Sequence, residues 1–185
     1  MSAANQQERL LIYNEQRNWF LAGLIEGEGS LCVSIKKHDI SRFGYLVDPE
    51  FFLYQHKIRR SLLEMAQQVF GTGRIFPKHG NEDVLVYAIV SQKRIRELIL
   101  PFYEKYMTFS SKKRDYQFFK EIVFSLENKE HLNPHGLIEI VKKAYQMNHS
   151  GKQRKRPIEE VIRRILRDYT PDTSLLNSED IVRSQ

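Results

Sequence analysis

The chain predicts an α+β fold with a core in the order α-β-β-α-β-β-α, followed by further helices. Three observations carry this expectation: residues Ser30 to Ile35 alternate strictly between apolar and polar, Ile58 to Phe70 repeats apolar positions at helical spacing, and glycines separate such segments. At 185 residues, with 41% hydrophobic and 11% aromatic side chains, the chain can bury a core of its own and is not expected to be disordered. No internal repeat is evident, so one domain is expected over 1–169, with a leader helix at 1–16, a basic loop at 149–157 and a flexible tail at 170–185.

Each element has a local reason. Gln6 to Ile25 is helix-like through Leu10, Leu11, Trp19, Phe20, Leu24 and Ile25, and Asn14 and Asn18 suggest a break between a short leader and a second helix. Leu31, Val33 and Ile35 fall on one face of the first strand and Cys32, Ser34 and Lys36 on the other. Arg42 to Tyr54 reads as the antiparallel return. Ile58 to Phe70 is an amphipathic helix stopped by Gly71 and Gly73. Arg74 to Lys78 and Val84 to Val90 are two more strands, joined by the turn His79-Gly80-Asn81. Ile95 to Tyr106, Lys113 to Leu126, Leu137 to Met147 and Ile158 to Tyr169 are expected helices, with Pro157 suited to the start of the last.

Composition narrows the function. The formal net charge of +6 and a pI near 9.4 favour a polyanionic partner. A single cysteine, Cys32, excludes an internal disulfide and a thiolate metal cluster. Met1 to Leu10 lack the apolar stretch of a secretory signal, and Trp19 to Ile25 is too short to cross a bilayer, so no membrane partner is expected. His38, His56 and His79 lack metal-ligand spacing and read as polar surface or partner-facing groups, and Asn133 and Pro134 interrupt the pair His131 and His135, which read as surface histidines.

The most informative segment is Leu21-Ala-Gly-Leu-Ile-Glu-Gly-Glu-Gly29, followed by a strand. Gly23 and Gly27 are four apart and share a helix face, where each costs about 1 kcal/mol relative to alanine. Close packing against a neighbouring helix would justify that cost. Glu28 sits on the last turn, where unsatisfied carbonyls repel a carboxylate unless a cation intervenes, and a hard divalent metal would serve.

Leu21 to Gly29 resembles the LAGLIDADG motif of homing endonucleases, with both acids written as glutamate. Phe43-Gly-Tyr-Leu-Val-Asp-Pro-Glu-Phe51, Gln55-His56, Gly71-Thr-Gly-Arg-Ile75 and Pro101-Phe-Tyr-Glu-Lys-Tyr106 are similar to the single-motif branch encoded by introns in large-subunit ribosomal RNA genes. The resemblance implies the fold of that family, with a curved antiparallel DNA-binding sheet. With one motif per chain it also implies a homodimer, whose interface would be formed by Leu21, Gly23, Leu24 and Gly27.

It further implies that Glu28 and the backbone carbonyl of Gly27 ligate metal, while Glu26 is mainly structural. Gln55 takes the place of a water-positioning glutamine and Arg59 that of a nearby basic residue. The active-site lysine falls in Ser110-Ser-Lys-Lys-Arg114; Lys112 is preferred, with Lys113 close behind and Ser111 as the alternative if the register slips by one residue. Magnesium is the expected ion, with manganese expected to substitute and calcium to support binding without cleavage; no small-molecule cofactor is expected.

Strand parity, combined with the family arrangement, assigns Cys32, Ser34, Lys36, Arg74, Phe76 and Lys78 to the DNA side, with Glu50, Phe52 and Tyr54 beside them. Lys113 and the tract residues Lys152, Arg154 and Lys155 are expected to meet the DNA backbone. The resulting expectation is a site-specific double-strand DNA endonuclease acting at a long pseudo-palindromic site in a large-subunit ribosomal RNA gene, inside a chloroplast, mitochondrion or bacterial cytoplasm. The rivals are an intron RNA maturase and a cleavage-inactive DNA-binding protein on the same fold, against which the intact Glu28 and Gln55 weigh.

Overall fold

The computed structural model describes residues 3–147 and 156–167. The basic-tract residues Lys152, Arg154 and Lys155 and the 170–185 tail lie outside the described residues.

The chain opens with one continuous helix, α1 (Ala3–Glu28), where the sequence suggested a leader and a break. Tertiary contacts override the weak helix preference of the two asparagines. Asn18 Nδ2 donates to Tyr106 Oη at 3.0 Å, and Tyr106 Oη in turn donates to Glu15 at 2.7 Å. Asn14 accepts from Arg17 one turn on, so its side chain does not compete with the helix backbone.

Four strands follow as β1 (Gly29–Lys37), β2 (Tyr45–His56), β3 (Arg74–Lys78) and β4 (Asn81–Ile89), with α2 (Arg60–Phe70) after β2. They form one antiparallel sheet in the order β1-β2-β4-β3. The return strand begins at Tyr45 rather than Arg42, because the chain is still turning at Gly44, whose φ is 73° and whose carbonyl accepts from the His38 amide.

The predicted helix from Ile95 starts earlier, at α3 (Gln92–Arg94), where the Ser91 side chain accepts from Arg94 N. A π-turn over Ile95–Ile99 leads into α4 (Leu100–Tyr106). Pro101 lacks an N–H, and the wider turn before it accommodates that loss. The remaining helices are α5 (Lys113–Glu127), α6 (Pro134–Gln146) and α7 (Ile158–Arg167). None of the described helices is long and apolar enough to cross a membrane.

The helices cover one side of the sheet. Leu31, Val33, Phe51, Leu53 and Tyr87 from the strands meet Leu21 and Ile25 of α1, Leu63 of α2 and Phe119 and Ile122 of α5 in the main core. A second apolar cluster joins Phe43 and Tyr45, at the hairpin end, to Leu137 and Val141 of α6 and Val161 and Ile165 of α7. This second cluster ties the two helices flanking the basic tract to the β1–β2 hairpin.

Candidate active site and nucleic-acid interface

The site grows from the C-terminal end of α1. Gly29 starts the strand directly after the helix, and a Cβ there would lie 2.6 Å from the Ile25 carbonyl oxygen, so the close turn requires glycine. Glu28, the last helical residue, is exposed. The carbonyls at this end lack intrahelical donors, and Lys112 satisfies two around it. Its ammonium donates to Gly29 O at 2.6 Å and to Ile25 O at 3.2 Å.

Lys112 is therefore the basic residue that the fold brings to the helix end. Lys113 is exposed on the first turn of α5, and Ser111 is occupied elsewhere. Burial pushes the Lys112 ammonium below the ordinary lysine value, against the opposing pull of Glu26 and Glu28. The loop before Lys112 is latched by Glu26. One carboxylate oxygen accepts from Ser110 Oγ at 2.6 Å, the other from Ser111 N at 3.0 Å and Ser111 Oγ at 2.5 Å. Ser110 Oγ also accepts from Lys112 N at 3.0 Å. Burial raises the Glu26 pKa, but these donors and Lys112 outweigh it and hold the carboxyl below its ordinary value.

Gln55 reaches the same corner through the sheet. Gly29 pairs with Leu53, so Gln55, two residues on, extends beyond the start of β1 toward the end of α1 by about 7 Å. It shares the helix-facing side with Leu53 and is 7% exposed. Arg59 lies exposed on the turn preceding α2.

The expected contact face of α1 needs one correction. Leu21 is fully buried in the chain's own core and cannot belong to an exposed interface. Two residues of helix are about 200°, which carries Leu21 away from the Gly23 side. Gly23 and Gly27 are exposed, and a Cβ at either would meet nothing within 4 Å. Leu24 is half-buried beside them, and Phe20, three residues before Gly23, is 55% exposed. Phe20 thus joins the bare stripe; the i,i+3 spacing was the available signal for it.

The opposite side of the sheet carries the expected reading residues. Directly paired residues point to the same side, and the pairs Ser30–Phe52, Cys32–Glu50, Ser34–Asp48 and Phe52–Ala88 continue to Arg74 across β4. Lys36, Tyr54 and Phe76 follow in the same parity. Lys78 Nζ lies 5.5 Å from the centre of the Tyr54 ring. Asp48 belongs to this face as well and was missed by the sequence reading, although it stands two positions from Glu50. Its carboxylate accepts from Lys36 at 2.9 Å, and this bond, followed by opposing burial and the nearby Glu50, raises the Lys36 pKa. The face therefore divides into a polar hairpin, an aromatic centre of Phe52, Tyr54 and Phe76, and a basic edge of Arg74 and Lys78.

Comparison with known proteins gives the same answer as the geometry. Residues 21–123 match the family model described as LAGLIDADG endonuclease. The chain is 47% identical over 93 residues to DNA endonuclease I-CeuI of Chlamydomonas moewusii, a match covering 50% of this chain and 43% of that protein. Against homing endonuclease I-ApeII of Aeropyrum pernix it is 30% identical over 148 residues, covering 78% of this chain and 87% of the relative. Among solved structures, the archaeal intron-encoded homing endonuclease I-Vdi141I complexed with DNA superposes with a TM-score of 0.77 at 32% identity, covering 83% of this chain and 97% of that one. The strand order, the motif at the end of α1 and these similarities agree: the chain belongs to the LAGLIDADG endonuclease family.

Proposed function

We propose that this chain is one subunit of a homodimeric endonuclease that makes a double-strand break at a long pseudo-palindromic DNA site, serving the homing of an intron in a large-subunit ribosomal RNA gene. The observation that carries the reading is the composition of α1. An exposed glutamate ends a helix whose outward stripe is bare glycine. A partner helix laid along that stripe would bring a second Glu28 beside the first, and two-fold symmetry in the protein asks for the same symmetry in its site. Among the described residues no three histidine, cysteine or acidic side chains are arranged to hold a metal ion.

The donor set suits a hard cation: an exposed carboxylate at Glu28 and the adjacent Gly27 carbonyl offer oxygen only. Magnesium bound there would acidify water and neutralise charge on the phosphate under attack, and manganese is expected to substitute. Calcium is expected to support DNA binding without cleavage. The chain's own groups do the positioning. Lys112 holds the end of α1 through two carbonyls and keeps positive charge near the phosphate. Gln55, buried at the sheet end, offers an amide to orient water at the same corner. Arg59 and Lys113 supply exposed cations for the backbone, and the sheet face supplies base contacts in the major groove.

Glu28→Gln tests this reading because it keeps the size of the side chain and removes its charge. Incubated with magnesium and intronless ribosomal RNA gene fragments, the wild type is expected to yield one double-strand break. The variant should bind the same duplex in a gel shift and cut it at least about a hundredfold more slowly. Full cleavage by Glu28→Gln would remove Glu28 as the essential ligand.

A further inference from the structure

The reading face carries a closed polar set whose chemistry matches one base pair. Ser34 Oγ donates to Glu50 Oε2 at 2.5 Å, and Lys36 Nζ donates to Glu50 Oε1 at 3.2 Å and to Asp48 Oδ2 at 2.9 Å. The Glu50 side chain is 13% exposed, whereas Lys36 and Asp48 are 54% and 41% exposed. Two carboxylates here repel DNA phosphates, and Lys36 is already engaged by both, so this patch contributes little sequence-independent attraction. A locked carboxylate gains on a reading face only where a base offers it an N–H.

The lock leaves Glu50 capacity for that contact. An ionised carboxylate accepts at about four lone-pair sites, and Ser34 and Lys36 use one on each oxygen. Held from two sides, the side chain loses little further rotamer freedom on binding. Lys36 places a donor 3.2 Å from the carboxylate acceptor. In the major groove, cytosine N4 and guanine O6 stand side by side as donor and acceptor, about 3 Å apart within the pair.

An A·T pair also offers a donor beside an acceptor, at adenine N6 and thymine O4, so the flanks decide. Beyond cytosine N4 lies a C–H, whereas beyond adenine N6 lies N7, an acceptor that repels a carboxylate. Beyond guanine O6 lies N7, a second acceptor for a lysine, whereas beyond thymine O4 lies a methyl group. Both flanks favour C·G.

We propose that Glu50, locked by Ser34 and Lys36, is a specificity-determining residue that reads a C·G pair in each half-site. Glu50 accepts from cytosine N4 and Lys36 donates to guanine O6 or N7. Asp48 holds Lys36 over the carboxylate until guanine replaces it as acceptor. The assignment rests on the DNA-binding role proposed above.

The test is a binding selection from a randomised duplex library in magnesium-free buffer, with the full chain as wild type, Glu50→Gln and Ser34→Ala, followed by magnesium to score cleavage of the selected duplexes. The wild type is expected to enrich cytosine about tenfold at one position of each half-site. Glu50→Gln should lose that preference there and shift it toward adenine, because a glutamine amide matches adenine N6 and N7, with the other positions unchanged. Ser34→Ala should weaken the cytosine preference without redirecting it, and it decides the matter if Glu50→Gln fails to fold. Identical base preferences in all three proteins would overturn the assignment. If those duplexes are still cut, the endonuclease reading stands without it; if the wild type enriches no duplex, both fall.

Discussion

The two faces of α1 are built from neighbouring residues between Phe20 and Gly27, yet they meet opposite surroundings. Leu21, Ala22 and Ile25 are 0 to 5% exposed and belong to the main core, where α1 meets β1 and β2. On the other side Gly23 and Gly27 meet nothing within 4 Å, and Phe20 is left 55% exposed. The buried face works by the presence of side chains, the open one by their absence. A helix with one completed and one bare face stabilises its own chain through the first, and the proposed dimer would use the second.

The largest expected effect breaks the buried face. Leu21→Ala removes a fully buried side chain and should cost about 3 kcal/mol of unfolding free energy, read as a lower denaturation midpoint. A cost below about 1 kcal/mol would mean that this face is not core. Gly23→Leu sharpens the contrast because its two effects have opposite signs. With no neighbour for a Cβ, the isolated chain should gain up to about 1 kcal/mol from better helix propensity. The same variant should sediment as a monomer and lose cleavage, since the added side chain holds a partner helix away. A dimer that survives it would show that the bare stripe is not the contact.

The smallest effect concerns the end of the helix, where the two faces meet the Glu26 latch. The Glu26 carboxyl is held below its ordinary value of 4.5, so the folded state favours the ionised form. That stabilisation is present above the unfolded value and is lost as pH falls through the lower folded one. Replacing Ser110 and Ser111 with alanine removes the two hydroxyl donors, leaves the Ser111 N–H in place, and should partly flatten the loss of stability between about pH 5 and 3, by less than about 1 kcal/mol. Urea midpoints measured across that range would check it. An unchanged acid limb would mean that the latch is screened by solvent.

Much of this was legible in the chain itself. Strict alternation in Ser30 to Ile35 put Cys32, Ser34 and Lys36 on one side, and the observed register keeps them there. Arg74 to Lys78 has the same bounds as the observed β3, because glycine turns delimit it on both sides. The α1 break at Asn14 and Asn18 was misjudged because local preferences of a few tenths of a kcal/mol lost to contacts with α4. Leu21 was placed on the wrong side although helical geometry alone separates it from Gly23.

By itself the sequence determined the α-β-β-α-β-β order of the core, the sheet's two faces and the one acid that ends the first helix, since these depend on periods of two and 3.6 residues and on a local motif. Only the tertiary structure decided which of three adjacent basic residues reaches that helix end. Lys112 meets Gly29 and Ile25 from 83 and 87 positions away, through a loop whose register no periodicity sets. It also decided that Lys36, Ser34, Asp48 and Glu50 close on one another, because that needs two strands in one particular register. Periodicity sorts side chains into faces, but contacts between distant segments exist only once the core has fixed how those faces meet.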